Sequence, residues 1–209
     1  MGTKERRERQ RRMLRQEILN AARELFAKEG YDNVSMRKIA EKIDYSPTTI
    51  YLHFKDKAEL LRCICDETFE NLLEIMRSLK NSCDDPVVCL RKALRAYIEF
   101  GLSHPNHYKV AFIVHPGYLE DLDHYTRESS KGRQAFEELM SKVVECIQQG
   151  RFLKLDAKMV SQGLWAGIHG ITSLLIVHRD YPWVDRNDLI DHVVDTMLRG
   201  LEAEPERFD

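Results

Sequence analysis

The apolar residues of this chain recur at three- and four-residue steps, and this spacing limits the possible fold more than any other feature. Between residues 13 and 28, Leu14, Ile18, Ala22 and Leu25 follow the period of one helix face. The spacing returns along most of the chain, and no segment shows the two-residue alternation of a half-buried strand. Only 10 Gly and 6 Pro interrupt 209 residues, which favours long helices. The sequence therefore predicts an all-α protein.

Charge divides the chain into a basic N-terminal part and an acidic remainder. Residues 1–57 hold 14 Lys or Arg and 9 Asp or Glu, whereas residues 58–209 carry a formal charge of −7. Most of the basic excess lies in residues 4–15, where seven bases face only Glu5 and Glu8. We expect an N-terminal domain at 1–57 and a C-terminal domain at 58–209, linked through a helix at 56–79. The basic block indicates either an anionic partner such as nucleic acid or only a solvated tail.

Several features bear on the compartment. No apolar run approaches the roughly 20 residues of a membrane span, and the charged N-terminus lacks the apolar region of a secretory signal. We therefore expect a cytoplasmic protein without a membrane partner. In a reducing cytosol, free thiols are expected for all five cysteines. These are Cys63, Cys65, Cys83, Cys89 and Cys146.

Residues 35–57 have the layout of a helix-turn-helix. Ser35 can cap a short helix, a brief turn follows at Asp44-Tyr45, and Ser46-Pro47 predicts the cap and first residue of the next helix. In that helix Ile50 and Phe54 stand four residues apart and can face the core. The residues left to face outward are Thr48, Thr49, Tyr51 and His53.

The outward-facing residues of this helix suit a DNA major groove, because threonine offers a hydroxyl and a methyl group to base edges. Lys55 and Lys57 follow at the next helix start, where they can reach phosphate. A polar, solvated helix face is the alternative explanation.

At these residues the sequence resembles the TetR family of bacterial transcription regulators. The resemblance covers about residues 12–60 and is carried by three strings. They are Ile18-Leu19-Asn20-Ala21-Ala22-Arg23-Glu24-Leu25-Phe26, Ser35-Met36-Arg37-Lys38-Ile39-Ala40, and Thr49-Ile50-Tyr51-Leu52-His53-Phe54-Lys55-Asp56-Lys57. The glycine common in the turn is replaced by Asp44-Tyr45, a mild departure because aspartate tolerates unusual turn geometry.

The resemblance implies an all-helical dimer of about nine helices, with an N-terminal DNA-binding domain and a C-terminal domain for ligand binding and dimerisation. It implies that Ser35 contacts phosphate and that Arg37 reaches a base or a phosphate. Lys57 would touch the DNA backbone. The residues that line the groove would be Thr48, Thr49, Tyr51 and His53. Pro47, at the start of the same helix, is a further candidate for DNA binding.

The C-terminal part resembles the family less closely. Trp165 and His169-Gly170 resemble the Trp…His-Gly signature of one TetR C-terminal subclass, as does His104-Pro105 followed by Tyr108 and Phe112. Aromatic walls with one or two polar groups suit a small, mostly apolar effector. The candidate ligand-binding residues are Tyr97, Phe100, His104, Phe112, Trp165 and His169. Ordinary helix-core packing explains any one of them equally well.

Two apolar segments near the C-terminus predict a homodimer. The run from Leu164 to Val177 has few polar residues, and the last helix carries an apolar stripe. A single core could absorb both segments, but such a stripe also suits a helical dimer interface. The stripe consists of Leu189, Ile190, Val193, Val194, Met197, Leu198 and Leu201.

Catalytic and metal-binding chemistry has weaker support. The chain contains no P-loop, Gly-x-Ser-x-Gly or His-Glu-x-x-His motif, so we expect neither an enzyme nor a cofactor. His104 and His107 could share a metal, but no matched carboxylate or cysteine accompanies them. The sequence thus predicts a ligand-responsive repressor that leaves operator DNA when it binds an effector. The alternatives are an activator or a constitutive DNA-binding protein without an effector.

Overall fold

The computed structural model describes residues 3–79, 84–113 and 130–203, and it confirms the all-α prediction. Within these residues there are nine α-helices, one π-helical turn at Lys109–Ile113 and no strand beyond one isolated bridge between Phe152 and Glu202. In chain order the helices are α1 (Thr3–Glu29), α2 (Met36–Lys42), α3 (Pro47–Tyr51), α4 (Lys57–Ser78), α5 (Pro86–Ser103), α6 (Pro105–Tyr108), α7 (Lys131–Gln148), α8 (Ala157–Val177) and α9 (Arg186–Arg199).

Two helix boundaries differ from the sequence expectation. The first helix begins at Thr3 rather than near residue 13, because residues 4–12 are good helix formers that carry no apolar period. The third ends at Tyr51 rather than at Phe54, and Leu52 forms its C-cap. The sequence also predicts a long helix from near Leu119 to Gln149, interrupted around residues 129–132. It is described from Lys131, and its first part lies outside the described residues.

The chain forms two compact units, and the first comprises residues 1–68 and 106–124. Its described core is built by α1, α2, α3 and the start of α4, with Ile18, Phe26, Ile39, Ile50 and Phe54 almost fully buried. Burying each such side chain contributes about 1.5–3 kcal/mol, so the short helices α2 and α3 depend on α1 for their stability.

The turn between α2 and α3 is built around Asp44, the only described non-glycine residue with a positive φ, at 57°. The N–H of Tyr45 donates to the carbonyl of Ala40 at 3.0 Å, which closes the turn after α2. Aspartate therefore occupies the left-handed position that glycine would fill without steric cost.

We expect Asp44→Gly to stabilise the protein by about 0.5–1 kcal/mol and Asp44→Val to destabilise it by about 1–2 kcal/mol, since only glycine escapes the left-handed penalty. Urea denaturation of the three proteins measures both effects. A glycine variant less stable than wild type would contradict this account of the turn.

The second unit comprises residues 69–105 and 125–209, and α5 packs there against α7, α8 and α9. Arg91 donates to Asp195 at 2.9 Å and lies 3.8 Å from Asp191, and Arg95 also pairs with Asp191, so three ion pairs join α5 to α9. Helices α8 and α9 approach closely at Gly167, where an added Cβ would lie 2.2 Å from the Met197 sulfur. This close packing places the two apolar segments that the sequence singled out side by side.

Helix α8 differs from the expectation that no apolar run is long enough to span a membrane. Its 21 residues are long and apolar enough to cross a membrane by length and composition, although the sequence analysis expected no such run. Its hydropathy comes from aliphatic side chains, which are dense in its second half at Ile168, Ile171 and residues 174–177. A core helix of a soluble protein meets the same criterion, so this single helix is weak evidence for a membrane span.

The cysteines also differ in part from the expectation of free thiols. Cys63, Cys65 and Cys146 form no disulfide, and burial, followed by the charges of Glu145 and Asp85, raises the pKa of Cys146 to about 11. Cys89, by contrast, is disulfide-bonded. The expectation of five free thiols is therefore wrong at Cys89.

Candidate nucleic-acid interface

Helix α3 presents a polar face on a firmly anchored backbone. Ser46 caps the helix by accepting the N–H of Thr49 at 3.2 Å, and Pro47 occupies the first helical position. Ile50 is fully buried and fixes the inner face of the helix. The side-chain oxygens of Ser46 and Thr49 lie 2.9 Å apart, which fixes the rotamer of Thr49 before any ligand binds.

The outer face of α3 exposes the residues that the sequence singled out. Tyr51 is 55% exposed, Pro47 and Thr48 are exposed, and Thr49 and His53 are half-buried. Burial, followed by the positive charges of Arg11 and Arg15, lowers the pKa of His53, so its imidazole is neutral at neutral pH. Exposed side chains on a helix held by buried neighbours are the arrangement that direct readout of a groove requires.

The start of α2 supplies two further candidates. Ser35 caps the helix by accepting the N–H of Lys38 at 3.1 Å, and it remains exposed. Arg37 forms an exposed ion pair with Glu41 at 2.8 Å, an i,i+4 pair of the kind that contributes only about 0.3–0.5 kcal/mol. Arg37 can therefore exchange this partner for a phosphate at little cost.

Lys57 has an intramolecular role that the sequence did not indicate. Its ammonium donates to the carbonyl of Tyr31 at 2.7 Å and lies 4.1 Å from the centre of the Tyr31 ring. Burial lowers the pKa of Lys57. The side chain thus ties the start of α4 to the loop after α1, and its contact with the DNA backbone stays a prediction.

Sequence reasoning missed three residues at this surface. Arg15 lies over the ring of Phe54 at 4.7 Å and donates to the sulfur of Cys63 at 3.2 Å, so it borders the end of the α3 segment. Leu52 is 72% exposed and Tyr45 is also exposed, although an apolar period assigns such residues to the core. Arg15 is 39 positions from Phe54 and 48 positions from Cys63 along the chain. Contacts between residues so far apart leave no local signal in the sequence.

Part of the predicted ligand set meets in the second unit. The indole N–H of Trp165 is 3.4 Å from the hydroxyl of Tyr97, and its ring centre lies 6.4 Å from that of His169 and 6.2 Å from that of Phe136. His169 contacts the hydroxyl of Ser173 at 3.3 Å. Tyr97, Trp165 and His169 are therefore neighbours.

The remaining ligand candidates make contacts of their own. Phe100 stacks on His104 with ring centres 5.0 Å apart, and His104 also contacts the carbonyl of Phe100. Phe112 belongs to the first unit, where its ring centre lies 4.7 Å from that of Tyr108. None of the six candidates lines the cavity of about 570 Å³ in the second unit. That cavity is lined by Leu102, Pro105, Leu175, Ile176, Arg179, Tyr181, Pro182, Trp183 and Arg186.

Burial lowers the pKa of His169, which makes the stability of the protein depend on pH. The unfolded chain binds the proton more readily, so stability is full above the ordinary pKa of about 6.5 and falls as the pH drops below it. We expect His169→Gln to reduce the loss of Tm between about pH 7 and pH 5. Thermal unfolding of both proteins across this range tests it, and identical pH profiles would contradict it.

The described residues contain no group of three or more His, Cys, Asp or Glu that could hold a metal ion. His107, which the sequence paired with His104, lies 3.4 Å from the hydroxyl of Thr68 instead.

Comparison with known proteins places this architecture in one family. The description "Bacterial regulatory proteins, tetR family" matches residues 18–64, and "Tetracyclin repressor-like, C-terminal domain" matches residues 90–198. A helix-turn-helix on a three-helix unit, followed by a helical C-terminal unit, is the class of DNA-binding regulator that these descriptions denote. The chain belongs to the TetR family of bacterial transcriptional regulators.

Individual relatives agree with this assignment. The HTH-type transcriptional activator FasR of Mycolicibacterium smegmatis is 25% identical over 194 residues, which cover 91% of this chain and 84% of FasR. The HTH-type transcriptional regulator SAR2658 of Staphylococcus aureus is 28% identical over 90 residues, 43% of this chain and about half (49%) of that protein. The structure of the fatty acid degradation regulator FadR from Bacillus halodurans has the same fold, with a TM-score of 0.76, 20% identity and coverage of 91% and 97%.

TetR-family regulators bind operator DNA and typically form homodimers, and the relatives of this chain are regulators rather than enzymes. The subclass resemblance at Trp165 and His169-Gly170 stays a prediction.

Proposed function

We propose that this protein is a cytoplasmic, homodimeric repressor that binds a near-palindromic operator through α2 and α3 and leaves it when a small, mostly apolar effector binds. The observation that carries DNA binding is the outer face of α3. Tyr51 is largely exposed beside the fully buried Ile50, so the helix is held rigidly while its reading face stays open. The α3 helices of two subunits would enter successive major grooves, about 34–36 Å apart.

The proposed dimer interface is the outer face of α8 together with the side of α9 that the core leaves open. On α8, the exposed or half-buried residues at helical spacing are apolar or small: Met159, Gly163, Ala166, Gly170, Leu174 and Val177. On α9, Ile190, Val194 and Leu198 are buried, whereas Leu189, Val193, Met197 and Leu201 are only half-buried. A second copy of this surface would cover both stripes in a four-helix contact.

The effector proposal rests on Tyr97, Phe136 and His169, which all contact Trp165. Trp165 is 42% exposed within one chain, and the His169 imidazole is half-buried and can share a hydrogen bond with a ligand oxygen. The name of FadR suits an apolar effector, because that protein is described as a fatty acid degradation regulator. FasR is named an activator, so activation is the second candidate function.

The experiment begins with selection of a duplex from a random library by the purified protein, followed by titration of the selected duplex. We expect a near-palindromic sequence bound by one dimer. Saturated fatty acids of increasing chain length are then added, with thermal unfolding and DNA release as readouts. An effector at a hundredfold excess over its Kd should stabilise the protein by about 2.7 kcal/mol.

The outcomes separate the parts of the proposal. Failure to select any sequence would overturn operator binding. An effector that stabilises the protein without releasing DNA would favour activation over repression. Trp165→Ala should weaken effector binding, and Trp183→Ala, at the separate cavity, is the matched control.

A further inference from the structure

Helix α1 extends about three turns beyond the part that packs in the first unit. Residues 4–13 are all exposed, and the first fully buried side chain of the helix is Ile18. These turns contribute no apolar surface to the core, so packing does not explain why they are present or why they are so basic.

The charges on these turns are sorted by helix face. Glu5 and Glu8 stand four residues before Arg9 and Arg12, the order in which an acid and a base stabilise a helix. Four other bases follow each other at steps of three, four and four residues and share a different face. These residues, called the basic stripe below, are Lys4, Arg7, Arg11 and Arg15, and Glu8 lies only at the edge of their face.

The inner end of the basic stripe borders the reading helix. The Arg15 guanidinium lies 4.7 Å from the centre of the Phe54 ring, and Phe54 directly follows His53. The Arg15 guanidinium is also held in place by its contact with the Cys63 sulfur at 3.2 Å. Arg11 stands one turn further out, and it acts with Arg15 in lowering the pKa of His53. The basic stripe therefore continues the DNA-facing surface outward from α3.

The length of the basic stripe matches a stretch of DNA backbone. At 1.5 Å per residue, Lys4 and Arg15 are about 16 Å apart along the helix axis. Double-stranded DNA rises about 3.4 Å per base pair, so this distance corresponds to about five base pairs. Glu8 borders this row between Lys4 and Arg11, so the four cations keep a net positive charge that is complementary to a row of phosphates.

We propose that the basic stripe binds the phosphates of the duplex that flanks each operator half-site, so that α1 lengthens the footprint beyond the bases read by α3. This inference rests on the operator binding proposed above. The ligand is the sugar-phosphate backbone of the same duplex, and contact with it is independent of base sequence.

The test compares two triple variants of the full-length protein. Lys4→Gln/Arg7→Gln/Arg11→Gln removes three charges from the basic stripe, and Arg6→Gln/Arg9→Gln/Arg12→Gln removes three from the other faces of the same turns. Glutamine keeps the helix propensity, and Arg15 is left in place because it packs on Phe54. Each protein is titrated with the selected duplex across a range of salt concentrations, first with added flanking base pairs on both sides and then trimmed to the half-sites.

We expect the stripe variant to lose hydroxyl-radical protection of the outer five or so base pairs on each side. Its salt slope should fall by about 0.9 per lost phosphate contact, or about 5 units for a dimer that loses six contacts. The control variant should keep the flanking protection, and trimming the flanks should weaken wild type but not the stripe variant.

Three outcomes overturn the inference. Equal salt slopes and footprints for the two triple variants would show that only net charge matters. Flank-independent binding by wild type would show that α1 does not reach the duplex. If wild type binds no duplex at all, operator binding fails as well, whereas loss of binding confined to α3 variants would preserve operator binding and remove only the role of α1.

Discussion

Replacing Thr49, Tyr51 and His53 together by alanine is expected to abolish sequence-specific DNA binding without unfolding the protein. Each good contact with a base edge contributes about 1–3 kcal/mol of discrimination, so Tyr51→Ala alone should raise the Kd for the selected duplex by about tenfold to a hundredfold. The triple variant should bind the selected and a scrambled duplex equally. Fluorescence anisotropy at fixed salt measures both affinities.

A matched control separates the loss of base contacts from the general effect of removing an exposed tyrosine. Tyr181 is 59% exposed, close to the 55% of Tyr51, and it lies in the second unit, so Tyr181→Ala should keep the specificity of wild type. Because Ile50 and Phe54 remain in place, the triple variant should keep its helical circular dichroism. Retained specificity in a folded triple variant would contradict the assignment of α3 as the reading helix.

Placing a charge in the proposed dimer interface is expected to separate the subunits. An unpaired buried charge costs about 3–5 kcal/mol, so Val193→Asp should raise the dimer dissociation constant by roughly two to four orders of magnitude. Ala166→Asp tests the same surface on α8. Ala166 is exposed within one chain, so its replacement leaves the core intact. Light scattering at micromolar concentration measures the change.

The control for this experiment is Ser141→Asp, which adds the same charge at an exposed position of α7 away from both stripes. It should leave the mass of the particle unchanged. A wild-type protein that is monomeric at micromolar concentration, or a dimer that persists in both interface variants, would contradict the proposed interface.

The local features of the DNA-binding unit could be predicted from the sequence, because caps and apolar period are encoded within a few residues. Ser35 and Ser46 cap their helices, Ile50 and Phe54 are buried, and the aspartate in the turn adopts the left-handed conformation. Two kinds of feature could not be predicted from the sequence. The start of α1 carries no apolar residue and gives no periodic signal.

The second failure concerns contacts between residues far apart in the chain. The pairing of Lys57 with Tyr31 and of Arg15 with Phe54 depends on how the helices cross, which spacing alone does not specify. For the same reason the sequence could not specify which of the six candidate ligand residues are in contact: the structure pairs Trp165 with Tyr97 and His169, and Phe100 with His104. The chemistry of a residue could be predicted from its type, but its neighbours could not.

The hydrogen bond between the side chains of Ser46 and Thr49 has a consequence for the kind of base that α3 can read. The Thr49 hydroxyl is held by Ser46, so the group that it offers to a groove is its methyl, the natural partner of the thymine methyl. Immobilising a side chain on binding costs about 0.5–1.5 kcal/mol, and the fixed rotamer of Thr49 removes most of that cost beforehand. If α3 enters the groove as proposed, we expect Thr49 to favour a thymine at the base it faces, while Tyr51 beside it adjusts its side chain on binding.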